Sequence, residues 1–84
     1  MANCDKLLQK AKNNPADLRF TEICNLIECY GFELARTKGS HFMYKYPGRR
    51  ELINLQDKNG KAKEYQVKQV LEAIEELIKD EGKS

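Results

Sequence analysis

The sequence predicts an α+β fold: a three-stranded antiparallel sheet with helices on one face, plus an extra helix at the N-terminus. Three observations predict it. Apolar residues recur at three- and four-residue spacing before residue 31 and again after residue 66, the period of an amphipathic helix. Between these stretches the period changes to two, as strands require. The period-two runs are separated by short Gly- and Pro-containing turns, which join antiparallel neighbours. Two amphipathic helices flanking a small sheet in sequence pack on one of its faces, which leaves the other face open.

The elements follow in order. Asn3 is placed to cap a short helix running to about Lys12, with Leu7, Leu8 and Ala11 on one side. "NNPAD" breaks it. Thr21 is the expected N-cap of the next helix, and Glu22 suits the positive end of its dipole. Ile23, Leu26, Ile27 and Tyr30 form its apolar stripe, and Gly31 stands where a helix C-terminus wants glycine. "FELARTK" alternates Phe32, Leu34 and Arg36 against Glu33, Ala35 and Thr37. "KGS" is a tight turn, "HFMYKY" is a second strand rich in aromatic strand formers, and "PGRR" is a second turn. "ELINL" is a short third strand and "QDKNGKAK" a polar, basic loop with an Asn-Gly turn. Val67, Val70, Leu71, Ile74, Leu77 and Ile78 stripe the last helix, with Gly82 just beyond it.

With 84 residues the chain makes one domain, residues 1–84, in which 1–18 form the N-terminal helical extension. Apolar residues at 40% and charged residues at 33% are a globular balance, so disordered and fibrous classes are excluded. No run approaches the roughly 18 apolar residues of a membrane span, and "MANCDKLLQKAK" has no apolar core of a secretory signal. The expected location is the cytoplasm. The three cysteines, Cys4, Cys24 and Cys29, are an odd number without a leader, which argues against a disulfide framework and for reduced thiols. With one histidine and no CxxC pair, no metal is expected.

Charge is more informative in its distribution than in its sum. Residues 36–63 carry eight Lys/Arg against two acids, a local +6. The remainder carries seven Lys/Arg against eleven Asp/Glu, −4, and the two return the chain's net +2. A basic middle in an acidic chain points to an anionic partner, and nucleic-acid phosphates are the commonest large anions in a cytoplasm.

The only histidine, His41, lies within this segment. Alternation sets Phe42, Tyr44 and Tyr46 on one face and His41, Met43 and Lys45 on the other. With the aromatics turned to the core, His41 faces outward, and Arg36 and Lys38 lie just across the turn. Neighbouring cations favour a neutral imidazole, and a free base beside phosphate-binding cations is what RNA cleavage needs. The base takes the 2′-OH proton and the oxygen attacks the adjacent phosphorus, with no metal required. A lone histidine on an exposed strand is more often a plain polar residue, and no second proton-transfer group can be named: Tyr44 and Tyr46 are on the wrong face. The residues alone therefore leave three functions open: a ribonuclease, a non-catalytic RNA-binding module, and a protein–protein adaptor using the sheet edge or the first helix.

"YGFELARTKGSHFMYKYP" followed by "INLQDKNGKAKEYQVKQVLEAIEEL" resembles the HicA (YcfA-like) toxins of type II toxin–antitoxin pairs. The likeness runs from about Arg19 to Leu77: a helix ending in Gly-Phe, a strand entering Gly-Ser-His, two further strands, a Gly-Lys loop and a closing helix. It implies a fold like a double-stranded-RNA-binding domain (dsRBD-like, α-β-β-β-α) and a ribosome-independent mRNA interferase. It implies that His41 is catalytic, that Gly39 and Ser40 form the turn presenting it, and that a HicB-type antitoxin covers the site. Arg36, Lys38 and Lys45 as phosphate contacts come from charge and facing instead. The chain departs from many relatives at Phe42, where a second histidine is common, and from some at Glu64, where a proline stands. The expectation is thus a bacterial cytoplasmic, metal-independent endoribonuclease acting on mRNA, with a non-catalytic RNA-binding module on the same fold as the alternative.

Overall fold

The computed structural model describes residues 4–50 and 52–82. The order is α1 (Cys4–Asn13), α2 (Phe20–Cys29), β1 (Glu33–Lys38), β2 (His41–Lys45), β3 (Leu52–Gln56) and α3 (Glu64–Gly82). The strands form one antiparallel meander in the order β1-β2-β3. This is the α-β-β-β-α arrangement with an additional N-terminal helix. Asn3, the expected cap of α1, and Glu51, the expected start of the third strand, lie outside the described residues.

The core lies between the helices and one sheet face. Ile23, Leu26 and Ile27 of α2 and Val67, Val70 and Ile74 of α3 are fully buried, with Leu55 and Tyr44 below them from the sheet. Phe42 stacks obliquely on Phe20 at 4.9 Å, and Tyr46 meets Phe32 edge-on at 5.2 Å. The aromatics of β2 therefore face the helices, as alternation predicts. Leu8 and Ala11 of α1 join the same core. Ile78 is half-exposed, although the stripe on α3 includes it.

Helix α2 begins earlier than Thr21. Arg19 is the N-cap, and the Glu22 carboxylate accepts its backbone N–H at 3.0 Å. The earlier start has a tertiary cause. Phe20 is buried, and its N–H donates to Gly60 O at 2.9 Å, so the β3–α3 loop fixes the first turn. At the other end Gly31 N–H bonds Glu28 O and Phe32 N–H bonds Ile27 O, the paired closure of a Schellman motif around Gly31 at φ +95°. Helix α3 runs through Gly82 rather than stopping before it.

Two further expectations are corrected. Cys4 and Cys29 form a disulfide, with Cα atoms 5.9 Å apart. They are 25 residues apart in sequence and meet because α1 runs antiparallel to α2, an approach that Lys10 and Glu22 close from the other end at 2.6 Å. That bond from the Lys10 ammonium holds the Glu22 carboxyl below its ordinary range. An odd cysteine count leaves one thiol over but does not forbid a pair. The remaining thiol, Cys24, is half-buried, and burial pushes its pKa up.

The second correction is in β1. Leu34 pairs with Tyr44 and Arg36 with Met43, so Ala35 is an extra, unpaired residue, a β-bulge. Simple alternation would put Leu34 and Arg36 on one face. The bulge separates them: Leu34 turns to the helix side and Arg36 to the open side.

Candidate active site

The register defines what shares the open face with His41. Residues opposite each other in a sheet project to the same side. Lys38 is directly opposite His41 on β1, and Gln56 is opposite it on β3. Arg36 is opposite Met43, one diagonal step from His41, at roughly 7–8 Å between such positions. The turn that delivers His41 has two residues, Gly39 and Ser40. Gly39 sits at φ +60° while Ser40 keeps an ordinary negative φ, the pattern of a type II′ hairpin turn. A side chain at residue 39 would be strained there, so the glycine fixes where β2 begins.

His41 itself is exposed, and its Nδ1 lies 3.3 Å from Asn54 Oδ1. When Nδ1 carries the proton it donates to that oxygen, which leaves the Nε2 lone pair as the base. Asn54 stands opposite Met43 on β3, one diagonal step from the imidazole. Sequence reasoning placed no role on Asn54. The available signal was its position as the one polar residue between Ile53 and Leu55, which alternation turns to the open face.

Of the expected cations, the structure brings Arg36 and Lys38 to the His41 end. Lys45 is on the same face but four residues along β2, roughly 14 Å away at about 3.4 Å per residue, opposite Glu33. Tyr44 belongs to the other side. It is buried, its hydroxyl donates to Glu28 Oε2 at 2.8 Å, and burial pushes its pKa well above the ordinary phenol range. It is unavailable to a reaction on the open face. Phe42 also faces the helices, so it projects away from His41. Glu64 opens α3, and its carboxylate pairs with Lys68 at 3.4 Å one turn on.

Among the described residues no three His, Cys, Asp or Glu side chains converge on one point, and no helix is long and apolar enough to cross a membrane. The arrangement offers an oriented imidazole with an open nitrogen, one cation opposite it and a second one step away. Such a group can move a proton at an anionic centre.

A family model described as the HicA toxin of bacterial toxin–antitoxin systems matches residues 20–75. The matched segment takes in α2, the whole sheet and α3 as far as Glu75, and it contains His41, its turn and both nearby cations. Helix α1 lies outside it. No curated protein and no solved structure matches the chain.

Proposed function

The chain belongs to the HicA toxin family, and from that premise we propose that it is an RNA-cleaving toxin, a ribosome-independent mRNA interferase that uses His41 as its general acid/base. The observation that carries the reading is the His41 imidazole: exposed, held at Nδ1 by Asn54 and faced by Lys38. Nε2 takes the proton of a 2′-OH, the freed oxygen bonds to the adjacent phosphorus, and the P–O5′ bond breaks, the departing 5′-oxygen taking its proton from water. Lys38 and Arg36 stabilise the charge gathering on the phosphate oxygens. The Gly39–Ser40 turn presents the base, and Lys45 contacts phosphate further along the strand. The route calls for no metal. A HicB-type antitoxin covers the open face and blocks access, and both act in a bacterial cytoplasm.

The test is cleavage of single-stranded RNA by purified protein and by His41→Ala. Loss of cleavage in the variant, with 2′,3′-cyclic phosphate ends in the wild-type products, supports the reading. Equal activity in both removes His41 from catalysis. One observation favours a second reading, a non-catalytic RNA-binding module: among the described strand residues no acid stands opposite His41 or one diagonal step from it, since Glu33 is beside Lys45. That reading predicts salt-dependent binding with the RNA intact at the end of the reaction.

A further inference from the structure

The His41 end of the sheet continues into a surface that the proposed reaction does not use. Past Gln56, which is opposite His41, the chain enters the loop to α3, and Asp57 N–H donates to Ser40 O at 2.9 Å. The loop therefore starts against the turn that presents the imidazole. It carries Lys58, Lys61 and Lys63 along a groove that ends at Tyr65.

This loop is built, not slack. Asn59 and Gly60 both take positive φ, 53° and 84°, in a two-residue turn between Lys58 and Lys61. The backbones of those two lysines bond each other in both directions at 3.0 Å, and Asp57 Oδ1 accepts Gly60 N–H at 2.7 Å. Phe20 N–H donates to Gly60 O, and Ala62 N–H donates to Leu18 O at 3.0 Å, which pins the loop to α2. The lysine side chains stand on a fixed frame.

Their charge is unspent. Among the described residues none of the three takes part in an ion pair. Both nearby acids are engaged, Asp57 with the turn and Glu64 with Lys68. Tyr65 is 59% exposed, and Lys63 Nζ lies 5.9 Å from its ring centroid. Gln66, only 4% exposed, links the two ends of the surface: its Oε1 accepts Gln56 N–H at 2.8 Å and its Nε2 donates to the Tyr65 hydroxyl at 3.3 Å. An exposed ring in one groove with three lysines that form no ion pair among the described residues fits a strand whose phosphates are charged and whose bases are free to stack. A paired base has no face to offer the ring, which selects an unpaired strand.

We propose that the Lys58–Tyr65 groove is a second RNA site, holding the unpaired nucleotides that flank the phosphate presented to His41. The proposal rests on the ribonuclease reading for its substrate, and the experiment separates the two. Affinity is measured for a labelled single-stranded RNA 12-mer, as a function of salt, in the His41→Ala background; KM and kcat are measured in the wild-type background. Tyr65→Ala is expected to weaken binding about tenfold, while Tyr65→Phe keeps most of it. The Lys61→Ala/Lys63→Ala double variant is expected to lower the salt slope by about 1.4, at roughly 0.7 per phosphate contact on a single strand. Both should raise KM with kcat little changed and leave Tm where it is, since all three side chains face solvent at least in part. The proposal is overturned if these variants bind with unchanged affinity and salt slope, which assigns the groove to something other than RNA, or if a blunt duplex of the same sequence binds as well and loses as much. A wild-type protein that binds through the groove without cleaving sinks the ribonuclease reading alone. One that cleaves with groove variants unaffected sinks the groove alone.

Discussion

The two strands that flank β2 are used in opposite ways. On β3, Leu55 is buried, Ile53 is half-buried and α3 packs over them. On β1 every residue from Glu33 to Lys38 is exposed, on both faces. The helices thus back β2 and β3 and leave β1 as an arm. The difference divides the molecule: the helix-backed side supplies the burial that holds the fold, and the arm supplies charge at almost no cost to the core. It also explains why so charged a strand tolerates being an edge. Glu33, Arg36, Lys38 and the bulge at Ala35 all discourage pairing with another chain.

That division is broken or sharpened by single substitutions. The largest effect is expected at His41, beside the arm. His41→Ala should cut RNA cleavage by about 10²–10⁴-fold, the usual contribution of one acid/base group. Its exposed side chain should leave stability within about 0.5 kcal/mol by urea denaturation. A variant that unfolds would mean that this end of the sheet is structural after all.

The opposite pattern is expected at Leu55, directly beneath α3. Leu55→Ala should cost about 2–5 kcal/mol in the same denaturation, because a fully buried leucine leaves a cavity that the surroundings only partly fill. Cleavage by the fraction that remains folded should be near normal.

The disulfide tests whether α1 belongs to the helix-backed side. Cys4→Ser should lower stability by about 2–4 kcal/mol under oxidising conditions, and the wild type should fall to meet it when a reductant is added. A reducing cytoplasm would hold both sulfurs as thiols. Helix α1 would then stay docked through Leu8, Ala11 and the Lys10–Glu22 pair. Coincident denaturation curves with and without reductant would show that the packing alone suffices.

Asn54 gives a smaller effect on the chemical side. Asn54→Ala removes the partner of Nδ1 and should slow cleavage about tenfold, the loss of one hydrogen bond of about 1.4 kcal/mol, with stability unchanged. It also marks where the sequence stopped being readable. Local signals were sufficient for the helical stripes, for the facing of β2 and for the Gly-Ser turn, since each depends on neighbours within about one turn of chain. The contact between Asn54 and His41 spans 13 residues and exists only once β2 and β3 are in register. The Arg19 cap depends on a loop some 40 residues away, and the Cys4–Cys29 bond on how two helices cross. None of these leaves a mark in local periodicity. The bulge is a different failure. Ala35 has no side-chain signature of an unpaired residue, yet it decides which face Arg36 joins.

Leu34 is therefore the most discriminating small test. By its pairing with Tyr44, it belongs to the core face of the sheet. An ordinary leucine there would cost several kcal/mol to truncate. In the structure it is 48% exposed, because the helices stop short of β1. Leu34→Thr should consequently change stability by no more than about 0.5 kcal/mol, since threonine also favours a strand. A loss above about 2 kcal/mol would mean that something covers the helix side of the arm, and that β1 and β3 are not used so differently after all.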